Sequence, residues 1–488
     1  MIVIPGLTRN PENKHMKQLH ELTIKELLDG YKNNSFTCEQ VVKHFLNRIE
    51  KYNPKLNIYL SLNENALDQA RQADEEIKTK GITRSLLGIP MAIKDNFLTI
   101  DLKTTASSNI IKDYNPQYES TVTQKLKDAG AIFLGKTNMD AFAHGSSTET
   151  SDFGPTLNPW NTDKLPGGSS GGSAAAITAC LATVAIGSET AGSIRQPAAW
   201  CGVTGFKPSY GTVSRYGVIS MASSTDSPGP IGKNIEDCAC VLEVIAGKDN
   251  KDATSSPIIP EKYSYLLNKK DLKGIKVGLI KEYLLSDMDE RVKKLITDAA
   301  DKFKQLGATV EEVSLMDPKY SIGVYTVLQR SEVSSNLARF DGIRFGESRG
   351  VFNDENKRRI MLGTYTLSSG YYDAYYKKAQ AVRTKIIEDF NKLFLQGFHC
   401  LIGAVSPGPA LSVGATKDQP MFGEMEDVLV EASSIAGLTS AGVPCGFVDG
   451  LPIGLQITGA QRDEIKILQI ADCFQKNTDF VKYPNLES

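Results

Sequence analysis

Histidine is the scarcest of the reactive residues in this chain, with five in 488 positions. His15, His20 and His44 precede residue 50 and His399 lies far downstream, so only His144 stands near the glycine- and serine-rich centre. A Ser-His-Asp triad therefore has little material to draw on. Cysteine is sparse too: there are eight, none in a C-x-x-C pair, and the one close pair, Cys238 and Cys240, has no histidines around it. That spacing argues against a disulfide frame or a zinc site and predicts buried thiols in a reducing compartment. No apolar run is long enough to span a bilayer. Charge is balanced, with a formal net of -2, and the clustered basic excess expected of a nucleic-acid binder is missing. The opening MIVIPGLTRN has no basic leader and is broken at Pro5 and Gly6, unlike a secretory signal. Residues 1–15 are expected to be a disordered extension ahead of an amphipathic pattern that begins at Met16.

The chain is long enough for several typical domains or one large α/β body. Hydrophobic residues make up 41% and charged residues 23%, ordinary for a globular protein. Residues 16–80 read as helices, with Thr37 as an N-cap and Val41, Val42, Phe45, Leu46 and Ile49 at 3–4 spacing. Apolar runs at 86–95, 131–134, 275–280, 309–313, 400–405, 440–445 and 453–457 predict strands. Helical stretches at 120–130, 289–306, 371–394 and 463–476 separate several of them, an alternation typical of α/β architecture. Residues 217–229 read mostly as loop. The polar segment 247–273 is the best candidate for an internal linker.

The chain is organised around Gly167–Pro197. Two Gly/Ser clusters, 167–173 and 187–193, bracket an apolar run that predicts a short helix and then a buried strand. Loops of this kind bring serine hydroxyls together on rigid supports. A nucleophilic serine needs a base and donors for the developing oxyanion. With histidine scarce, the candidate base is Lys94, which closes the apolar strand 86–95. Burial lowers a lysine's pKa and can leave it neutral. The competing reading is a lysine that reaches solvent or pairs with Asp95. Ser169 and Ser170 also match the G-x-S-x-G elbow, but that needs a strand directly ahead and Asn161–Pro166 does not read as one. The same glycines lack the G-K-[ST] ending of a phosphate loop. Cys201 has no activating context.

Gly167–Ser173 together with Gly187–Pro197 resembles the signature of the amidase-signature family of serine hydrolases. Ser169 stands 75 residues after Lys94 and 24 before Ser193, and both spacings match the family. The resemblance runs from about residue 18 to 478. It implies an α/β fold with a single large mixed sheet covered by helices on both faces, occupying 16–488 as one domain. It implies a Ser–cis-Ser–Lys triad of Ser193, Ser169 and Lys94, with an oxyanion hole of main-chain N–H groups from Thr190, Ala191, Gly192 and Ser193. By motif position it implies Asp427 for a substrate amino group and Arg359 for its carboxylate, with Glu426 and Arg358 each one residue away. The segments 192–217, 332–346, 358–376 and 442–459 resemble the glutamine-hydrolysing subunits of tRNA-dependent amidotransferases. From that likeness follow glutamine as substrate, ammonia as product and no cofactor or metal in this chain. It also implies a second subunit that binds ATP, Mg and glutamyl-tRNA, a small third subunit, no membrane, and a bacterial cytoplasm or an organellar matrix. A free-standing amidase for small carboxamides is the alternative. The chain departs from the family at Glu189-Thr190-Ala191-Gly192-Ser193, where Asp-Thr-Gly-Gly-Ser is common, at the loop 404–409, and in a short 344–359 region.

Overall fold

The structure, a computed structural model, describes residues 17–286, 288–344, 346–417, 419 and 421–487. The expected extension over 1–15 lies outside them. Eleven strands were found: β1 (Tyr59–Leu62), β2 (Pro90–Lys94), β3 (Ile132–Thr137), β4 (Val184–Glu189), β5 (Thr204–Lys207), β6 (Ser227–Gly232), β7 (Lys276–Ile280), β8 (Thr309–Val313), β9 (Cys400–Ala404), β10 (Thr439–Val448) and β11 (Leu451–Gly459). They form one mixed sheet in the order β1-β3-β2-β4-β6-β5-β10-β11-β9-β7-β8. β3, β2 and β4 run parallel, β9, β7 and β8 run parallel, and the strands between them are antiparallel.

Every residue of β2, β3, β4, β5, β6, β9 and β11 is buried. A sheet covered on one face alternates buried with exposed; one covered on both does not. This is why β2, β3, β9 and β11 read as continuous apolar runs. The covering helices include Gly171–Thr178 against β2, β4 and β6, Ile235–Ile245 against β5 and β6, and Glu464–Lys476 against β10 and β11.

Several elements escape the sequence reading: β5, the helices Ile235–Ile245, Lys319–Asn336 and Asp354–Leu367, and, in stretches read otherwise, β1 and β6. The stretch 16–80 is interrupted by β1, because Asn57 adopts the left-handed conformation (φ 50°) and ends the helix Cys38–Leu56; β1 then pairs antiparallel with β3. β6 begins inside the stretch read mostly as loop. Its Pro228 and Pro230 lie opposite Ser188 and Ile186 of β4, and prolines in a run argue against a strand when only the sequence is in view. Thr37 caps its helix as expected, accepting from the Gln40 N–H at 3.1 Å. Residues 247–273 hold one short 3-10 turn, Tyr263–Leu266, and bury Tyr263, Leu267 and Leu272.

Because β2 and β4 are parallel neighbours, their C-terminal ends share one edge. Lys94 closes β2, and the second Gly/Ser turn follows β4. Such edges are where open α/β sheets place their functional loops.

Candidate active site

Lys94 is fully buried. Its Nζ donates to Ser169 Oγ at 2.7 Å and to the Ser188 carbonyl at 3.0 Å. Loss of hydration pushes its pKa down to about 7, against the pull of the nearby carboxyl groups of Asp140, Asp226 and Glu189. The Asp95 alternative is excluded by geometry, since the Asp95 carboxylate faces Lys136 at 3.4 Å and accepts from Thr105. Depressed pKa alone does not single out Lys94. Lys207 is also buried and pushed down to about 7 by burial, but among the described residues it donates only to the carbonyls of Leu438 and Pro208. Lys94 differs in touching a serine hydroxyl.

The peptide bond from Gly168 to Ser169 is cis, and Ser169 sits just ahead of the helix Gly171–Thr178. The Gly168 N–H donates to Gln196 Oε1 at 2.9 Å. A side chain at 168 has no room: a Cβ would fall 2.1 Å from Asp140 Oδ2 and 2.6 Å from the Ser147 nitrogen. The Ser170 N–H donates to the Ser193 carbonyl at 3.1 Å, and Ser170 Oγ donates to the Ser188 carbonyl at 3.3 Å. The two Gly/Ser turns are thus laced together, and Ser188 O joins Lys94 to the same lacing. This brings Lys94, Ser169 and Ser193 to one place. The Ser193 hydroxyl itself has no hydrogen-bond partner among the described residues.

Glu189 shapes the second Gly/Ser turn. Its Oε2 accepts from the main-chain N–H groups of Ile194 and Arg195, each at 3.0 Å, and its Oε1 pairs with the Arg195 guanidinium at 2.5 Å. Arg195 also donates to Ser433 Oγ, Ser434 Oγ and the carbonyls of Ala191 and Val430. Both charges are fully buried, which is tolerable only with partners on every side. Between Glu189 and Ile194, the N–H groups of Thr190, Ala191, Gly192 and Ser193 have no acceptor among the described residues. Ala191 keeps its N–H, so its departure from glycine removes no donor.

A second wall closes on this turn. Asp427 is buried, accepts from Ser146 Oγ at 2.8 Å, and leaves Oδ1 without a partner among the described residues. Burial pushes its carboxyl well above the usual range. A Cβ on Gly192 would sit 2.2 Å from Asp427 Oδ1, so glycine at 192 is what lets the carboxyl lie against the turn. Arg359, on the helix Asp354–Leu367, is also buried. Its Nε donates to Glu355 at 2.6 Å and its Nη2 lies 3.7 Å from Glu424. Its two terminal nitrogens make no hydrogen bond among the described residues. The neighbouring Arg358 is half exposed and turned to Glu355, so the inward arginine is Arg359. Glu424 is shared with Arg330 at 2.8 Å; burial would raise its pKa, but Arg359 and Arg330 hold it below the ordinary value.

The structure disposes of the remaining candidates. His144 is buried, pushed well below its usual pKa by burial, and bonds through Nδ1 to Asn356 at 2.8 Å. Cys201 is buried with its thiol pushed up by burial, and all eight cysteines are free. The strand before Ser169 in sequence is β3, which ends at Thr137, so the G-x-S-x-G elbow lacks its strand. Among the described residues no group of three or more His, Cys, Asp or Glu could hold a metal ion, and no helix is long and apolar enough to cross a membrane. Sequence reading missed Ser146, Arg330, Glu355 and Glu424. Ser146, Arg330 and Glu424 meet partners far away in the chain, and Glu355 sits one turn before Arg359 on the same helix, a spacing common to surface ion pairs.

The chain belongs to the amidase family: the family model described as Amidase matches residues 40–468. It is therefore an enzyme of the amidase and amidotransferase class. Among curated relatives it is 47% identical over 481 residues to the A subunit of glutamyl-tRNA(Gln) amidotransferase from Carboxydothermus hydrogenoformans, covering 95% of this chain and 99% of the relative. The corresponding protein of Thermoanaerobacter pseudethanolicus is 46% identical over 484 residues, covering 96% and 98%. Among solved structures, the one from Thermotoga maritima, which bears the same name, superposes with a TM-score of 0.82 at 37% identity, covering 96% of this chain and 98% of that one. The native peptide amidase from Stenotrophomonas maltophilia superposes at 0.84 with 29% identity, covering 96% and 99%.

Proposed function

We propose that this chain is the glutamine-hydrolysing subunit of a tRNA-dependent amidotransferase. Ser193 attacks the side-chain carboxamide of glutamine. Its proton passes to Ser169 and on to neutral Lys94, which returns it to the departing ammonia. Water then cleaves the γ-glutamyl ester by the same relay, giving glutamate. The N–H groups of Thr190 to Ser193 hold the oxyanion, and each such donor is worth on the order of 10²–10³ in rate. Asp427 takes the substrate's ammonium and Arg359 its carboxylate, to which a fork of two nitrogens is well matched. The ammonia serves a partner subunit that binds ATP, Mg and glutamyl-tRNA, with a small third subunit completing the complex in the cytoplasm. This chemistry uses the chain's own side chains and main-chain N–H groups and calls for no cofactor here.

The observation that carries the reading is the 2.7 Å contact between Lys94 Nζ and Ser169 Oγ, on a lysine poised near neutrality. The test is ammonia release from glutamine by the full chain, alone and with the larger and smaller subunits that co-purify from its cells. Stimulation by the partners with glutamyl-tRNA supports the reading. Robust hydrolysis of simple amides with no partner at all favours the free-standing amidase, a reading to which the likeness to the peptide amidase lends weight.

A pH prediction follows from the base. Lys94 must be uncharged to accept a proton, and burial sets its pKa at about 7. Activity is therefore lost on acidification through that value and regained above it. A profile of kcat/KM against pH for glutamine shows one rising limb near neutrality; a flat profile down to pH 5 removes Lys94 as the base.

A further inference from the structure

We infer that Arg330 and Glu424 form a charge-balancing pair that lets Arg359 hold a substrate carboxylate, with Arg330 acting as a positioning and specificity-determining residue. The inference rests on the glutamine reading above.

Arg359 lies between two carboxylates, Glu355 at 2.6 Å and Glu424 at 3.7 Å. Those contacts orient its plane, but two negative groups around one guanidinium leave an excess negative charge that repels an incoming carboxylate. Arg330 reverses this. Its Nη2 takes Glu424 Oε1 at 2.8 Å, at 2% and 1% side-chain exposure, so two buried cations now face the two anions, while half-exposed Arg358 meets Glu355 from the solvent side, where water screens it. Arg330 Nε and Nη1 have no partner among the described residues, which leaves its positive charge incompletely spent. Low dielectric makes each uncompensated charge felt strongly at this range. The other ionisable groups on this wall add little to the empty site. Asp427 and Glu431 are pushed well above the carboxylate range, burial being the largest cause, and His144 is held neutral by burial. The pair is tied to the nucleophile turn through one short segment: Glu424 lies on the helical turn Phe422–Glu426, and Asp427, next in line, touches Gly192.

A charge role and a merely structural one predict different patterns. The experiment measures equilibrium binding by calorimetry to the full chain carrying Ser193→Ala, so that nothing turns over. One ligand is L-glutamine; the other is 4-aminobutanamide, which keeps the ammonium and the amide but has no carboxylate. Arg330→Gln weakens glutamine on the order of 30-fold without weakening 4-aminobutanamide. Glu424→Gln, which leaves an extra positive charge, tightens glutamine relative to 4-aminobutanamide. The double variant Arg330→Gln/Glu424→Gln restores the balance and returns glutamine to within about threefold of the parent, a compensation that double-mutant cycles measure directly. Should Arg330→Gln fail to fold with Glu424 left unpaired, the other two variants still decide. Equal weakening of both ligands, a double variant as weak as the single, or weaker glutamine binding in Glu424→Gln overturns the inference. If the parent binds neither ligand, the glutamine reading falls and this inference with it. If it binds glutamine but the cycle is flat, this inference falls alone.

Discussion

Ser193→Ala ends ammonia release from glutamine, lowering kcat by on the order of 10⁴–10⁶, while the folded chain persists. The hydroxyl it removes has no hydrogen-bond partner among the described residues, so no native contact is lost with it. The turn is held from elsewhere: by Glu189 on the N–H groups of Ile194 and Arg195, and by the Ser193 carbonyl accepting from Ser170. The thermal midpoint should therefore stay within a few degrees of the parent. A serine-directed fluorophosphonate that labels the parent at this position should leave the variant unlabelled. Turnover near the parent's, with the fold intact, would mean that another residue attacks the amide.

Lys94→Met is expected to be nearly as damaging, with kcat within about tenfold of the Ser193→Ala value, because a nucleophile and its base fail as one unit. Methionine fills much of the same buried space without a basic nitrogen, so stability changes by about 1–3 kcal/mol from the lost bonds to Ser169 Oγ and the Ser188 carbonyl. Removing an amine already poised near neutrality also spares the protein the burial of a charge. Combining the two substitutions should cost little beyond either alone. A merely several-fold fall in kcat would assign the proton to a different group. His144 is poorly placed for that duty, since the one hydrogen bond of its ring among the described residues runs to Asn356.

Much of this site was legible in the one-dimensional chain. The Gly/Ser clusters, the lysine that ends an apolar strand and the two long spacings pointed to one constellation. The continuous apolar runs pointed to a sheet covered on both faces. These signals are local: a strand buried on both sides writes its burial into consecutive residues, and a tight turn against a carboxyl demands glycine at that very position, as Gly168 and Gly192 do. β1 and β6 were less legible. One hides between helices and begins after a left-handed Asn57, and the other carries two prolines in a position that pairing to β4 and β5 nonetheless accepts.

The α/β class, the family and the pairing of Lys94 with Ser169 at the strand ends were thus open to the sequence alone. Only the tertiary structure decided which of two adjacent arginines turns inward, that Asp427 rests on Gly192, and that Arg330 and Glu424 stand behind Arg359. The reason is physical. Backbone shape and two-sided burial act on neighbours along the chain, whereas the balance of buried charges is set among side chains that meet across 94 residues, and no window of the sequence contains both members of such a pair.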